Sequence, residues 1–119
     1  MYEVTVNTDK NYMLLILKGY MKDEEMKAAA AKVLSEADKL TPGFTIINDI
    51  SEFKPTMPSG AKEIRKAQAV LFKKGISKVI RIVGKSVIAS MQFSRMQKEA
   101  EASYEVIEVP SMDEALKLL

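Results

Sequence analysis

Gly84, Lys85 and Ser86 end the stretch VIRIVGKS (residues 79–86) as a phosphate-cradling loop ends. Such a loop reads G-x-x-x-x-G-K-[ST], because its first glycine opens a wide turn whose backbone N–H groups wrap the phosphates. Here Val79 stands in that glycine's place, and Ile80, Ile82 and Val83 are stiff side chains that favour a strand. The expectation is a strand reaching a tight turn at Gly84, with Ser86 capping the next helix. A lysine beside a helix N-terminus still attracts anions.

A second group with chemical potential is Asp49, Ser51 and Glu52. Two carboxylates so close can divide acid and base work. Asp49 has an equally direct structural use, tying down the loop that follows it through Ser51 and backbone N–H groups. The chain has no histidine and no cysteine, so the commonest general base and the thiolate ligands are missing. Asp49, Glu52 and Ser51 make a thin oxygen set for Mg²⁺, and the sequence calls for no metal and no cofactor. An enzyme acting on an anionic substrate through Asp49, Lys85 and Ser86 is the least supported reading.

The elements that must position these residues follow from periodicity. YEVTV (2–6) alternates like a half-exposed strand, and YMLLILK (12–18) is an apolar run suited to a strand buried on both faces. Together they form a hairpin. Between residues 22 and 40, Met26, Ala29, Ala30, Val33, Ala37 and Leu40 recur at helical spacing, behind Asp23, Glu24 and Glu25 at the positive end of the helix dipole. FTIINDI (44–50) is a third strand, followed by the proline-broken SEFKPTMP. A helix capped by Ser59 runs over residues 60–74 with Ala61, Ile64, Ala67, Gln68 and Leu71 on one side, and Gly75 stops it. Residues 79–83 form a fourth strand. A helix over 86–100 carries the stripe Ala89, Phe93, Met96 and Ala100, and residues 104–109 form a fifth strand. Ser111-Met112-Asp113-Glu114 fits a capping box for a last short helix.

The order ββαβαβαβα predicts an α/β fold: a five-stranded, mostly parallel sheet with an antiparallel N-terminal edge hairpin and helices mainly on one face. The 119 residues fit one domain spanning 1–119. The other face carries apolar side chains too, so it needs a cover, from a second copy of the chain, an apolar ligand or partly the last helix. A homodimer is the expectation.

Net charge is +2, unevenly spread: residues 1–59 carry 7 basic and 9 acidic side chains, 60–98 carry 10 and 1, and 99–119 carry 1 and 6. The basic block lacks aromatic interleaving and any nucleic-acid motif, so it reads as a solvated helix surface that acidic flanks fold over, and nucleic acid is not an expected partner. No apolar run reaches the ~20 residues of a membrane span, and the absence of cysteine suits a cytoplasmic setting.

FTIINDISEFKPTMPSGAKEIRKA, the IVGKS turn and the closing EVPSMDEALKLL together resemble the SpoIIAA-like group of the STAS superfamily, of sulfate transporters and anti-sigma factor antagonists. The resemblance spans almost the whole chain in element order. It implies a small domain that binds rather than catalyses, engaging partner proteins, nucleotides or lipophilic molecules around the loop between the third strand and the second helix. In the antagonists this loop carries Asp-Ser-Ser-Gly with a phosphorylated first serine. Laid on this chain the motif falls on Met57-Pro58-Ser59-Gly60, with proline in the acceptor place. Ser59, Ser51 and Thr56 are the remaining local hydroxyls, Ser59 being the candidate phosphoacceptor, with Lys54, Lys62 and Lys85 near enough in sequence to pair with a phosphate.

The expected recognition rim is thus Asp49, Ser51, Phe53, Met57, Ser59, Gly60, Gly84, Lys85 and Ser86. Phe53 and Met57 are expected as an apolar lip over a groove beside the second helix. The occupant is a protein partner or a lipophilic or anionic small molecule, as an interaction domain or as a carrier or sensor.

Overall fold

The computed structural model describes residues 1–55, 57–84 and 87–119. Its order is β1 (Tyr2–Asn7), β2 (Tyr12–Gly19), α1 (Asp23–Ala37), β3 (Thr45–Phe53), α2 (Pro58–Lys73), β4 (Lys78–Ile82), α3 (Val87–Glu99), β5 (Glu105–Val109) and α4 (Met112–Leu116). The strands lie in chain order, β1-β2-β3-β4-β5. β1 pairs antiparallel with β2, and every later pair is parallel. Because the sheet never reverses direction, three right-handed crossovers place α1, α2 and α3 on one face.

Strand alternation separates two cores. Met13, Leu17, Ile46, Ile50 and Val79 point toward the three long helices, where Met26, Val33, Ile64, Leu71 and Phe93 meet them. Ile47, Ile80, Ile82 and Val109 point the other way and pack on Ala115 of α4. The last helix therefore supplies part of the cover that the second face needs, while Leu14 and Tyr12 remain half-buried at its margin.

Helix ends follow local chemistry with two changes from expectation: α1 ends at Ala37, leaving Leu40 beyond it, and the start of α2 differs. α2 begins at Pro58, so Ser59 is its second residue and caps nothing. Proline displaces it because a ring-fixed φ and a missing N–H suit the first helical position. At the other end Gly75, at φ +93°, lets the Ile76 N–H reach the Leu71 carbonyl at 3.2 Å, a Schellman closure. Ser111 Oγ accepts from the Glu114 N–H at 3.3 Å, as the capping box predicts. The expected cap at Ser86 lies outside the described residues. Among the described residues no helix is long and apolar enough to cross a membrane.

Candidate functional site

β3 is the strand on which the expected rim depends, and its register is irregular. Ile16 of β2 pairs with Asp49, but Lys18 pairs with Glu52, so β3 holds one extra residue opposite Leu17. This bulge bends the strand just where its pairing with β4 ends, at Asp49 and Ile82. The Asp49 carboxylate accepts from the Ser51 N–H at 3.0 Å and from Ser51 Oγ at 2.7 Å. Asp49 therefore pins the bulge, the structural use anticipated for it. Glu52 is engaged separately, 3.5 Å from Lys18.

Gly84 closes against this bulge. Its φ is +51°, and a Cβ there would lie 2.9 Å from Ser51 Cβ. Only glycine allows the β4–α3 turn to approach so near. The structure thus brings Asp49, Ser51 and Gly84 together at the carboxyl ends of the parallel strands, where ligands of such sheets collect. Met57 and Ser59 are exposed beside Tyr20, Lys22, Asp23 and Glu24, around a shallow depression, and Gly60 is buried. Thr56, Lys85 and Ser86 lie outside the described residues.

Phe53 departs from its expected role. It is 2% exposed, its ring edge-on to Phe93 with centroids 5.8 Å apart. The extra residue in β3 turns it to the helix-covered face instead of the rim, so it is core and not a lip. Tyr20, Met57, Val87, Ile88 and Met91 are the exposed large apolar side chains near this edge. Among the described residues no group of three or more Asp or Glu side chains could hold a metal ion.

A second place of chemical interest is interior. Between the sheet and helices α1 and α2 lies a cavity of about 70 Å³. Leu15, Leu17, Ile46 and Val79 form its floor, Met26, Ala29 and Val33 of α1 one wall, and Ile64, Ala67 and Leu71 of α2 the other. Alanines at the α1–α2 contact leave this space, since larger side chains there would fill it. Asn48, Gln68, Arg81 and Tyr104, with Ala30 and Phe93, complete the lining.

Strand register sets two of them, Asn48 and Arg81, side by side. Asn48 of β3 pairs directly with Arg81 of β4, and Arg81 with Glu108 of β5, in one row across the sheet. Arg81 is 1% exposed. Its Nη1 donates to Ser94 Oγ at 3.0 Å and to the Ser90 carbonyl at 3.4 Å, and its guanidinium carbon lies 5.5 Å from the centroid of Phe93. Ser90 Oγ in turn donates to the exposed Glu108 carboxylate. Burial pulls the guanidinium below its ordinary pKa, against the opposing charges of Glu108 and Tyr104. Burial likewise pushes Tyr104 up to about 12, against the Arg81 charge and the Gln68 side chain.

Asn48 Oδ1, Gln68 Oε1 and Arg81 Nε are buried with no hydrogen-bond partner among the described residues. Reading motifs along the chain missed this group. The available signal was a single cation inside VIRIV, a strand expected to be buried, and a glutamine on the apolar stripe of α2.

No family model matches the chain, and no curated protein matches it. Among solved structures it is similar to the crystal structure of an uncharacterized protein from the DUF3478 family with a SpoIIAA-like fold, from Shewanella loihica PV-4. The similarity has a TM-score of 0.71 at 17% identity and covers 100% of this chain and 92% of that one. The chain has the SpoIIAA-like fold that its sequence resembles.

Proposed function

We propose that the chain is a non-catalytic binding domain that holds a small, mostly apolar molecule in the cavity between its sheet and helices α1 and α2. The observation that carries this reading is the cavity itself, an almost wholly apolar space between sheet and helices of the kind that takes up small apolar molecules. Protein interiors are otherwise close-packed, and space of this size is uncommon in a chain this short. The lack of histidine and cysteine, and the use of Asp49 in pinning a bulge, leave no evident catalytic group beside it.

Native mass spectrometry of the protein purified from its own host tests the proposal. A bound mass of a small molecule, lost on Ala67→Leu, is the expected result. A mass equal to the bare chain, with Ala67→Leu merely more stable, would remove the ligand from the account.

A second reading is favoured by the exposed Tyr20, Met57, Val87, Ile88 and Met91 at the carboxyl edge of the sheet, which suit a protein partner or a second copy of the chain. Ile88→Glu with Met91→Glu should then abolish association measured by light scattering. A monomer before and after substitution would exclude the self-pairing form.

A further inference from the structure

β1 is an edge strand, with β2 on one side and no strand on the other. Which of its groups face outward follows from one pair of bonds at its start. Met1 and Lys18 exchange both backbone hydrogen bonds, at 2.9 and 3.0 Å. Antiparallel ladders alternate bonded with non-bonded pairs, so Glu3, Thr5 and Asn7 also bond to β2, and Tyr2, Val4 and Val6 aim their N–H and C=O groups outward. None of these outward groups has a backbone partner among the described residues. Proteins blunt such edges with proline, lysine, a bulge or a very short strand. The other edge, β5, is blunted: it has 5 residues, exposes Glu105 and Glu108, and is followed by Pro110. β1 has 6 residues in unbroken register, no proline, no lysine, and Glu3 as its single charge.

We infer that β1 pairs antiparallel with β1 of a second copy of the chain, Val4 opposite Val4, joining the two sheets edge to edge. This register sets Tyr2 opposite Val6 of the second copy, so every outward residue of β1 belongs to a pair that exchanges both hydrogen bonds. A shift of two residues one way leaves Tyr2 against Thr8, in the turn; a shift the other way sets Glu3 against Glu3. Side chains agree with the chosen register. Tyr2, Val4 and Val6, all half-buried, meet their counterparts on the helix-covered face, while Glu3 lies opposite Thr5 on the other. The row is thus complementary to itself in bonding pattern, side-chain type and charge, which favours a second copy over a foreign strand. This surface is separate from the exposed Ile88 and Met91 of α3, because β2 and β3 stand between β1 and the strand that leads into that helix. A strand pair of this length is smaller than the ~1,200 Å² of standard interfaces, so a Kd of about 10–100 µM is expected.

Sedimentation equilibrium from about 5 µM to about 1 mM spans that range. The expected result is a monomer–dimer equilibrium that Ile88→Glu with Met91→Glu leaves unchanged. Val4→Pro removes an outward N–H and spares the bonds of Glu3 and Thr5 to β2, a placement that edge strands tolerate, and should weaken the dimer at least ~10-fold. Should Val4→Pro not fold, Tyr2→Pro, at the first residue of the strand, replaces it. Because the chain has no cysteine, an equimolar mixture of Glu3→Cys and Thr5→Cys chains should form the mixed disulfide on air oxidation in excess over either symmetric one. A monomer at every concentration would overturn the inference. So would a dimer that the proline variants leave intact, or one that Ile88→Glu with Met91→Glu disperses, which would put the contact at the carboxyl edge of the sheet. Ready self-cross-linking of Thr5→Cys alone would overturn the register.

Discussion

Replacing Arg81 by methionine should make the protein more stable. The guanidinium donates one good hydrogen bond, to Ser94 Oγ at 3.0 Å, and one long one, to the Ser90 carbonyl at 3.4 Å. A hydrogen bond of a charged group contributes about 1.5–3 kcal/mol, and a desolvated cation over an aromatic ring about 2 kcal/mol. Losing both costs about 3–5 kcal/mol. Against this, burying an ion costs several kcal/mol even after relaxation, and its unpartnered Nε about 1–3 kcal/mol more. Removing a charge from a buried pair is usually harmful because the partner is stranded, but here Glu108 is exposed and water takes over its solvation.

The balance favours Arg81→Met by about 1–3 kcal/mol, with methionine filling much of the vacated length. Equilibrium unfolding in urea, followed by far-UV circular dichroism, reads the change as a shift of midpoint at constant slope. A rise of several degrees in Tm should accompany it. A loss of more than about 1 kcal/mol at unchanged slope would refute the reasoning, because Arg81 would then be a net structural asset and its burial would need no ligand to explain it.

Three further outcomes follow from the same geometry. Gly84→Ala should destabilise by about 2–3 kcal/mol in urea unfolding, since alanine at φ +51° is strained and its Cβ would meet Ser51 at 2.9 Å; a change under about 0.5 kcal/mol would mean the turn relaxes freely. Ser59→Ala should leave stability within about 0.5 kcal/mol, because Ser59 lies inside α2 behind Pro58 and makes no cap; a loss of ~1 kcal/mol would restore the cap expected from sequence. Tyr104 has a folded pKa of about 12 against an unfolded 10, so its contribution is present below pH 10 and is lost as pH rises toward 12. At 1.36 kcal/mol per pH unit the loss approaches about 3 kcal/mol, and Tyr104→Phe, compared at pH 9 and pH 11, should lack this part of the alkaline decline.

Elements with a strong local signal were legible in the sequence. The stripes of α1, α2 and α3 fall on the buried faces expected of them, Gly75 and Ser111 act where turn and cap chemistry place them, and the strands assemble in chain order. Two local misreadings have identifiable causes. Ser59 satisfies the capping preference, but Pro58 satisfies the first-turn preference one residue earlier, and the two cannot both hold. Phe53 reads as a loop residue because nothing in SEFKP marks the extra residue opposite Leu17 that carries β3 onward and turns the ring inward.

The cavity group was illegible for a different reason. Asn48, Gln68, Arg81 and Tyr104 come from four elements, β3, α2, β4 and the approach to β5, so no short window contains a pattern. Register places the strand members: β3 and β4 pair Asn48 with Arg81, and β4 and β5 pair Arg81 with Glu108, while Gln68 reaches the group from α2 and Tyr104 from the residue before β5. Strand side chains alternate between faces, so a slip of one residue in β4 would send Arg81 to the α4 side and bring Ile80 or Ile82 beneath the long helices. An exchange of that kind would cover the charge with α4's small apolar surface and remove the polar row altogether. The register that buries Ile80 and Ile82 against Ala115 is therefore the same one that places a guanidinium among aliphatic side chains. Hydrophobic pairing on one face fixes the position of the polar row on the other, which is how a fold can carry a polar interior site without any contiguous motif to announce it.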